Sequence, residues 1–238
     1  MKKKRSVIQT LATNLALTFL IGSVAAVCLL PIGSETVSGK SEVYRYGNES
    51  TSGVSLMFNV YWGTDEVYKI LDVLDEYEAK STFFIGGCWA DDHVECLKEI
   101  ASRGHEIGNH GYFHKAHDQI SLDANKQEIL RCNQFIQLAI GQTPTLFAPP
   151  SGAYNDTTLS ACQMLHMKTV LWSKDTIDWR DKNEELIYTR ATKDVKAGAL
   201  VLMHPMEATV KALPRILKEY NSRNLRAITV GENLLLGG

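Results

Sequence analysis

From Gly53 onward, short apolar and β-rich runs alternate with longer stretches in which apolar side chains recur every three or four positions. The short runs predict strands over residues 54–58, 81–85, 106–109, 145–148, 168–172, 199–204 and 226–230. Between them the spacing predicts helices over 65–77, 91–103, 122–140, 155–165, 183–195 and 210–224. In the first helix Val67, Ile70, Leu71, Val73 and Leu74 form one apolar stripe, and in the third Ile129, Cys132, Phe135, Ile136 and Ala139 do the same. Gly104 and Gly141 stand where helices should stop. Strands alternating with helices imply an α/β domain with a mostly parallel sheet, either open and doubly wound or closed as a barrel. Both architectures build their sites at the C-terminal ends of the strands. No internal repeat is evident.

Polar and special residues gather at that end. Asn59 follows the first strand, His110 the third, and Pro149 and Pro150 the fourth. Lys174, Asp175 and Asp178 follow the fifth, and His204 closes the sixth. His110 and His114 are spaced i and i+4, which puts two imidazoles on one face of a helical turn, close enough to share a metal ion.

The chain's 238 residues, 45% of them hydrophobic, suffice for one well-buried domain. Net charge is −2 even though Lys2, Lys3, Lys4 and Arg5 crowd the start, so the body is mildly acidic. That argues against nucleic acid as a partner, which would need a basic face. The basic cluster precedes a largely apolar run over 11–30, about the 20 residues that cross a bilayer. The length favours an uncleaved signal-anchor over a cleaved signal peptide, and Val24-Ala25-Ala26 only partly matches a cleavage site. Cys28, preceded by the bulky Val27, fits lipid attachment poorly. Either main reading places the body outside the cytoplasm, membrane-anchored or secreted, with residues 31–53 as a Ser-, Gly- and Glu-containing linker and 54–238 as the domain. No C-x-x-C pair exists among the five cysteines, which disfavours a cysteine zinc site. Cys88 and Cys96 are near enough in sequence for a local disulfide, but spacing fixes no pairing.

Over about residues 54–235 the chain resembles the polysaccharide deacetylases of the NodB-homology type, carbohydrate esterase family 4. Thr82-Phe83-Phe84-Ile85-Gly86 is similar to the family's second-strand signature. Gly104-His105-Glu106-Ile107-Gly108-Asn109-His110 and His114 resemble its H-x-x-x-H metal motif. Phe147-Ala148-Pro149-Pro150-Ser151-Gly152 resembles F-R-P-P-Y-G, Asp175-Thr176-Ile177-Asp178-Trp179 resembles D-x-x-D-W, and Leu202-Met203-His204 resembles L-x-H. The resemblance implies a distorted (β/α)7 barrel and removal of N-acetyl groups from a cell-wall glycan such as peptidoglycan. The Trp62-Gly63 pair after the first strand is similar to the sporulation-associated branch of spore-forming bacteria.

The departures concern one motif and its partner. The family's first motif, T-F-D-D-G, aligns with Asn59 and Val60 in place of a general base and a metal-binding Asp. An amide cannot take a proton from water, and Val cannot bind a cation. The arginine that orients the base aligns with Ala148, and the motif-three tyrosine with Ser151.

Hydrolysis of an acetamide needs an activated water, a Lewis acid on the carbonyl, and a proton for the departing amine. The resemblance assigns a divalent metal of the zinc class, or cobalt, to His110 and His114. For the third ligand, Asp65, two residues after Gly63 at the start of the first helix, is the first candidate and Glu66 the next, with Asp65 as a helix N-terminal carboxylate favoured by the dipole as the alternative. His117 is a further donor nearby, expected on a solvated loop. His204 becomes the general acid, with Asp178 holding its imidazole; Asp178 as a simple turn or cap residue is the alternative. Tyr61, Trp62, Pro149, Pro150 and Trp179 are the expected glycan contacts, and Trp172 is expected in the core. Loss of a general base costs about 10²- to 10⁴-fold in rate. Two functions follow: a weakened metal-dependent N-deacetylase, or a catalytically impaired homologue that binds glycan or a partner. An amidohydrolase-type barrel is disfavoured, because its first strand would carry H-x-H. Oligomeric state is not legible.

Overall fold

The structure, a computed structural model, describes residues 42–235. The leader and residues 31–41 of the linker lie outside the described residues. Within them no helix is long and apolar enough to cross a membrane.

Among the described residues nine strands build the domain, and every strand pair is parallel. They are β1 (Val43–Tyr44), β2 (Gly53–Val60), β3 (Thr82–Ile85), β4 (Glu106–Asn109), β5 (Leu146–Phe147), β6 (Lys168–Val170), β7 (Lys174–Asp175), β8 (Leu200–Met203) and β9 (Arg226–Ala227). Their order is β1-β6-β5-β4-β3-β2-β8-β7, with β9 pairing the start of β2. No strand pairing joins β1 to β7 among the described residues, so the curled sheet stays open as a distorted barrel. All eight residues of β2 are buried, as expected of a central parallel strand covered on both faces. Its register sets Asn59 opposite Phe84 and Phe58 opposite Met203.

The helices are α1 (Thr64–Glu76), α2 (Gly87–Asp92), α3 (Val94–Ser102), α4 (Leu122–Ile140), α5 (Asp156–Met164), α6 (Asp178–Asp181), α7 (Glu184–Thr192), α8 (Glu207–Ser222) and α9 (Val230–Asn233). The stripe on α1 packs with Phe58, Phe83, Ile85 and the apolar face of α8 in one large core. Phe58 and Phe83 stack across β2 and β3 with centroids 5.0 Å apart.

Each of the expected strands and helices is present; the strand expected over 226–230 shrinks to Arg226–Ala227, the short helices α6 and α9 are additional, and three further differences stand out. The helix expected over 91–103 is two helices, broken at His93, where φ −134° and ψ 45° leave the helical region. The His93 Nδ1 lies 2.8 Å from the Trp89 carbonyl, so the side chain occupies the acceptor at the break. Residues 43–44, placed in the linker by composition, instead add β1 to the sheet through Val43 opposite Thr169 and Tyr44 opposite Val170. Lys174 and Asp175, expected as loop residues, form β7 against β8. Both added strands are two residues long, too short for any periodicity to register.

Candidate functional site

Because the strands are parallel, their C-terminal ends share one edge of the sheet. Asn59, Trp62, His110, His114, Trp179 and His204 line a single cavity of about 330 Å³ there. Six of the expected residues are thus brought together.

His110 is 1% exposed. Its Nδ1 lies 2.7 Å from the Ala148 carbonyl, which can only accept, so Nδ1 carries the proton and Nε2 keeps its lone pair. Burial, with His114 nearby, pushes the His110 pKa down to about 3, so the ring is neutral. His114 stands 5.1 Å from it, centroid to centroid, and packs on Tyr61 at 4.6 Å. Its pKa is also lowered, chiefly by burial. Its backbone is left-handed (φ 52°), which places the second imidazole at a local conformational cost.

Helix α4 holds this loop. Asn109 donates from Nδ2 to the Ile129 carbonyl and to Asn133 Oδ1, and its own Oδ1 accepts from the Gly111 amide at 2.7 Å. Glu128, 3% exposed, accepts from the Phe113 amide at 2.7 Å and sits 3.4 Å from Lys115 Nζ. The neighbours of His114 on both sides are therefore tied to one buried carboxylate. His117 is fully buried, not on a solvated loop. Its Nδ1 bonds Asn125 Oδ1 at 2.6 Å and its ring lies 4.9 Å from Phe147. It braces the loop beneath the cavity.

On the opposite wall, Asp178 is wholly buried and accepts from four donors. These are His204 Nδ1 at 2.8 Å, the His204 amide at 2.7 Å, Thr209 Oγ1 at 2.7 Å and the Trp179 amide at 2.8 Å. That is far more than a turn cap needs. The preceding Ile177 is left-handed (φ 53°), rare for a β-branched residue, and Asp175 Oδ1 holds its amide at 2.8 Å. Trp62 lies flat on His204, 5.6 Å between centroids and 3° between planes. The imidazole is thus fixed through Nδ1 and one face, and Nε2 is left for a ligand.

The base side is bare. Asn59 is 4% exposed and lines the cavity, and its Oδ1 has no hydrogen-bond partner. Val60 is in the large apolar core, as side-chain alternation along β2 requires. Ala148 is fully buried in a second apolar cluster. Asp65 is not in the site. Gly63 turns the chain at φ 77°, α1 begins at once, and Asp65 is exposed in the first turn, where the helix dipole favours a carboxylate. Glu66 faces a neighbouring groove. Among the described residues no group of three or more His, Cys, Asp or Glu could hold a metal. Two neutral imidazoles suit a zinc-class ion, but a catalytic site takes three protein ligands, so the residues present do not complete one.

Tyr61 supports His114 and does not line the cavity, and Pro149 and Pro150 are buried beneath it. They shape the turn that carries Ser151 to the cavity in a left-handed conformation (φ 55°). Asp175, Leu202 and Trp172 also line it. Trp172 is half-buried: it packs against the second apolar cluster, as expected, and also lines the cavity beside Gly152. Ser151, Asp175 and Trp172 lie in or beside the motif-like runs, so the sequence held a signal for them. Cys88, Cys96, Cys132 and Cys162 are free thiols, so Cys88 and Cys96 form no disulfide. Burial pushes Cys96 to about 11 and Cys132 to about 12, which leaves them unreactive.

Residues 46–170 match the family model for polysaccharide deacetylase. The chain is 33% identical over 190 residues to the uncharacterized protein YlxY of Bacillus subtilis, spanning 80% of this chain and 59% of that relative's length. It is 34% identical over 180 residues to a peptidoglycan-N-acetylglucosamine deacetylase of Bacillus cereus, covering 72% of this chain and 84% of that protein. Among solved structures, BA3943, a CE4 family pseudoenzyme from Bacillus anthracis, superposes with a TM-score of 0.80 at 30% identity, covering 82% of this chain and 70% of that one. A mutant of the same pseudoenzyme with restored enzymatic activity gives the same TM-score at 28% identity, covering 82% and 72%. The chain belongs to the polysaccharide deacetylase family.

Proposed function

We propose that this domain binds peptidoglycan-type glycan in the 330 Å³ cavity, outside the cytoplasm, with a deacetylation centre that lacks its base. The observation that carries the reading is Asn59 at the cavity wall with Val60 in the core. Asn59 Oδ1 can accept a hydrogen bond from a sugar amide, hydroxyl or water, but it cannot take a proton. Trp62 and Trp179 offer exposed rings to a pyranose face, and Asp175 and Ser151 offer polar atoms beside them. The glycan class is supported by the B. cereus deacetylase, and the impairment by the pseudoenzyme neighbour. The basic cluster and apolar leader support a location at the outer membrane face.

A second reading, a slow deacetylase, is favoured by the intact Asp178–His204 pair. There Asp178 stabilises the His204 imidazolium, and His204 gives a proton to the departing amine. His110 Nε2 and His114 would be two ligands of a zinc-class ion, one protein ligand short of a complete catalytic site among the described residues.

The reading is tested by titrating the full chain with a soluble N-acetylglucosamine–N-acetylmuramic acid oligosaccharide while assaying acetate. Saturable binding is expected, with acetate release at or near background. Trp62→Ala should weaken binding by about 0.5–1.5 kcal/mol, the scale of one aromatic contact. Absence of binding would overturn the glycan reading, and rapid acetate release would overturn the impairment.

A further inference from the structure

Trp62 is the common wall of two depressions. One face of its ring covers His204, its indole N–H donates to Met206 Sδ at 3.3 Å, and the residue is still 41% exposed. On one side lies the 330 Å³ cavity, near the lower end of ligand-site volumes and suited to little more than one sugar. On the other lies an open groove of about 540 Å³ between the start of α1, the turn after α6 and the first turn of α8. Anything larger than one sugar must leave the cavity, and the Trp62 side leads into this groove.

The two depressions differ in chemistry. The cavity is walled by indoles and imidazoles. The groove is charge-dense: Glu66, Glu184, Glu207, Lys182 and Lys211 all line it. Most of these charges are already matched. Lys211 pairs with Glu207, Glu184 lies 3.6 Å from Arg215, and Glu66 lies 3.8 Å from Lys69. Lys182 is exposed and has no ion-pair or side-chain hydrogen-bond partner among the described residues. It sits in a left-handed conformation (φ 45°) at the end of α6, the short helix that also carries Asp178 and Trp179. A neutral sugar calls for stacking and hydroxyl partners. Three carboxylates and the unpaired Lys182 ammonium can hold the amide N–H groups and a carboxylate of a zwitterionic, amide-rich chain.

We infer that this groove takes the peptide branch of a peptidoglycan strand, with Lys182 on a peptide carboxylate and Trp62 separating sugar from peptide. The inference rests on the glycan-binding reading above. Lys182 acts here in ligand discrimination and takes no part in the acetamide chemistry.

The test is a titration of the full chain with two probes: the oligosaccharide stripped of peptide, and the same oligosaccharide carrying its peptide. The peptide-bearing probe should bind roughly threefold to fivefold tighter, the scale of one solvent-exposed ion pair, and the advantage should shrink as salt is raised. Lys182→Asn, whose side chain tolerates the left-handed backbone, should abolish the advantage and leave the bare probe unchanged. Lys182→Arg should keep the advantage. Equal binding of the two probes by wild type overturns the inference, as does an equal loss for both in Lys182→Asn. If the bare probe binds and the peptide gives no gain, only the groove assignment falls. If neither probe binds, the glycan reading falls and takes the inference with it.

Discussion

The two walls of the cavity are built to different degrees. On the acid wall, Asp178 receives four hydrogen bonds, His204 is held through its amide, its Nδ1 and one ring face, and strained backbone at Ile177 completes the arrangement. On the base wall an amide oxygen is left without a partner, a valine has joined the core, and an alanine stands where the family sets an arginine. The lesson is that the fold does not depend on which polar group the β2 wall carries. β2 needs only an apolar residue at 60 and a small polar one at 59 to stay central in the sheet. The acid wall is different, because Asp178 is also a structural hub and its removal would strand four donors.

Several substitutions sharpen or break that contrast. The largest effect is expected at Val60→Asp, which would bury a carboxylate among apolar side chains. Thermal or urea unfolding should show a loss of about 3–5 kcal/mol. A stable variant would mean that the backbone at 60 can turn outward, and the base wall would then be restorable at both positions.

A smaller loss, about 0.5–1.5 kcal/mol, is expected for Glu128→Ala, which removes the acceptor of the Phe113 amide. Faster exchange of that amide in the variant would tie the loss to the His114 loop. Unchanged exchange would show that Asn109 and the Gly87 and Cys88 amides, which donate to the Gly111 and Tyr112 carbonyls, suffice to hold the loop.

The smallest effect concerns pH. Burial, then Lys80, lowers the His105 pKa from 6.5 to about 4. The unfolded chain therefore binds a proton first as pH falls, so stability is full above about 6.5 and declines toward pH 4. Neutral His110 acts in the same direction from the other end of β4. His105→Gln should flatten part of this slope in melting experiments from pH 7 to 4. An unaltered slope would assign the acid sensitivity to the cavity end of the strand.

Much of this molecule was legible in its sequence. The central strands were visible because full burial demands continuous apolar runs, and the helices because their buried faces repeat every turn. The polar strand ends pointed to the cavity edge before any coordinates. Asp65 misled because sequence distance from Trp62 is small, whereas the left-handed turn at Gly63 sends the chain straight into α1. Glu128 gave no signal, because its role depends on α4 crossing a loop 15 residues earlier in the chain. The same long-range packing buries His117, which local composition placed in solvent.

The central claim is that the missing carboxylate at position 59 limits the chemistry. Acetate release from N-acetylated peptidoglycan should therefore be compared between wild type and Asn59→Asp in the presence of added zinc. The account predicts near-background release for wild type and a gain of about tenfold or more for Asn59→Asp, with the roughly 10²- to 10⁴-fold that a general base supplies in a complete site as the ceiling. Efficient release by wild type that Asn59→Asp leaves unchanged would contradict it.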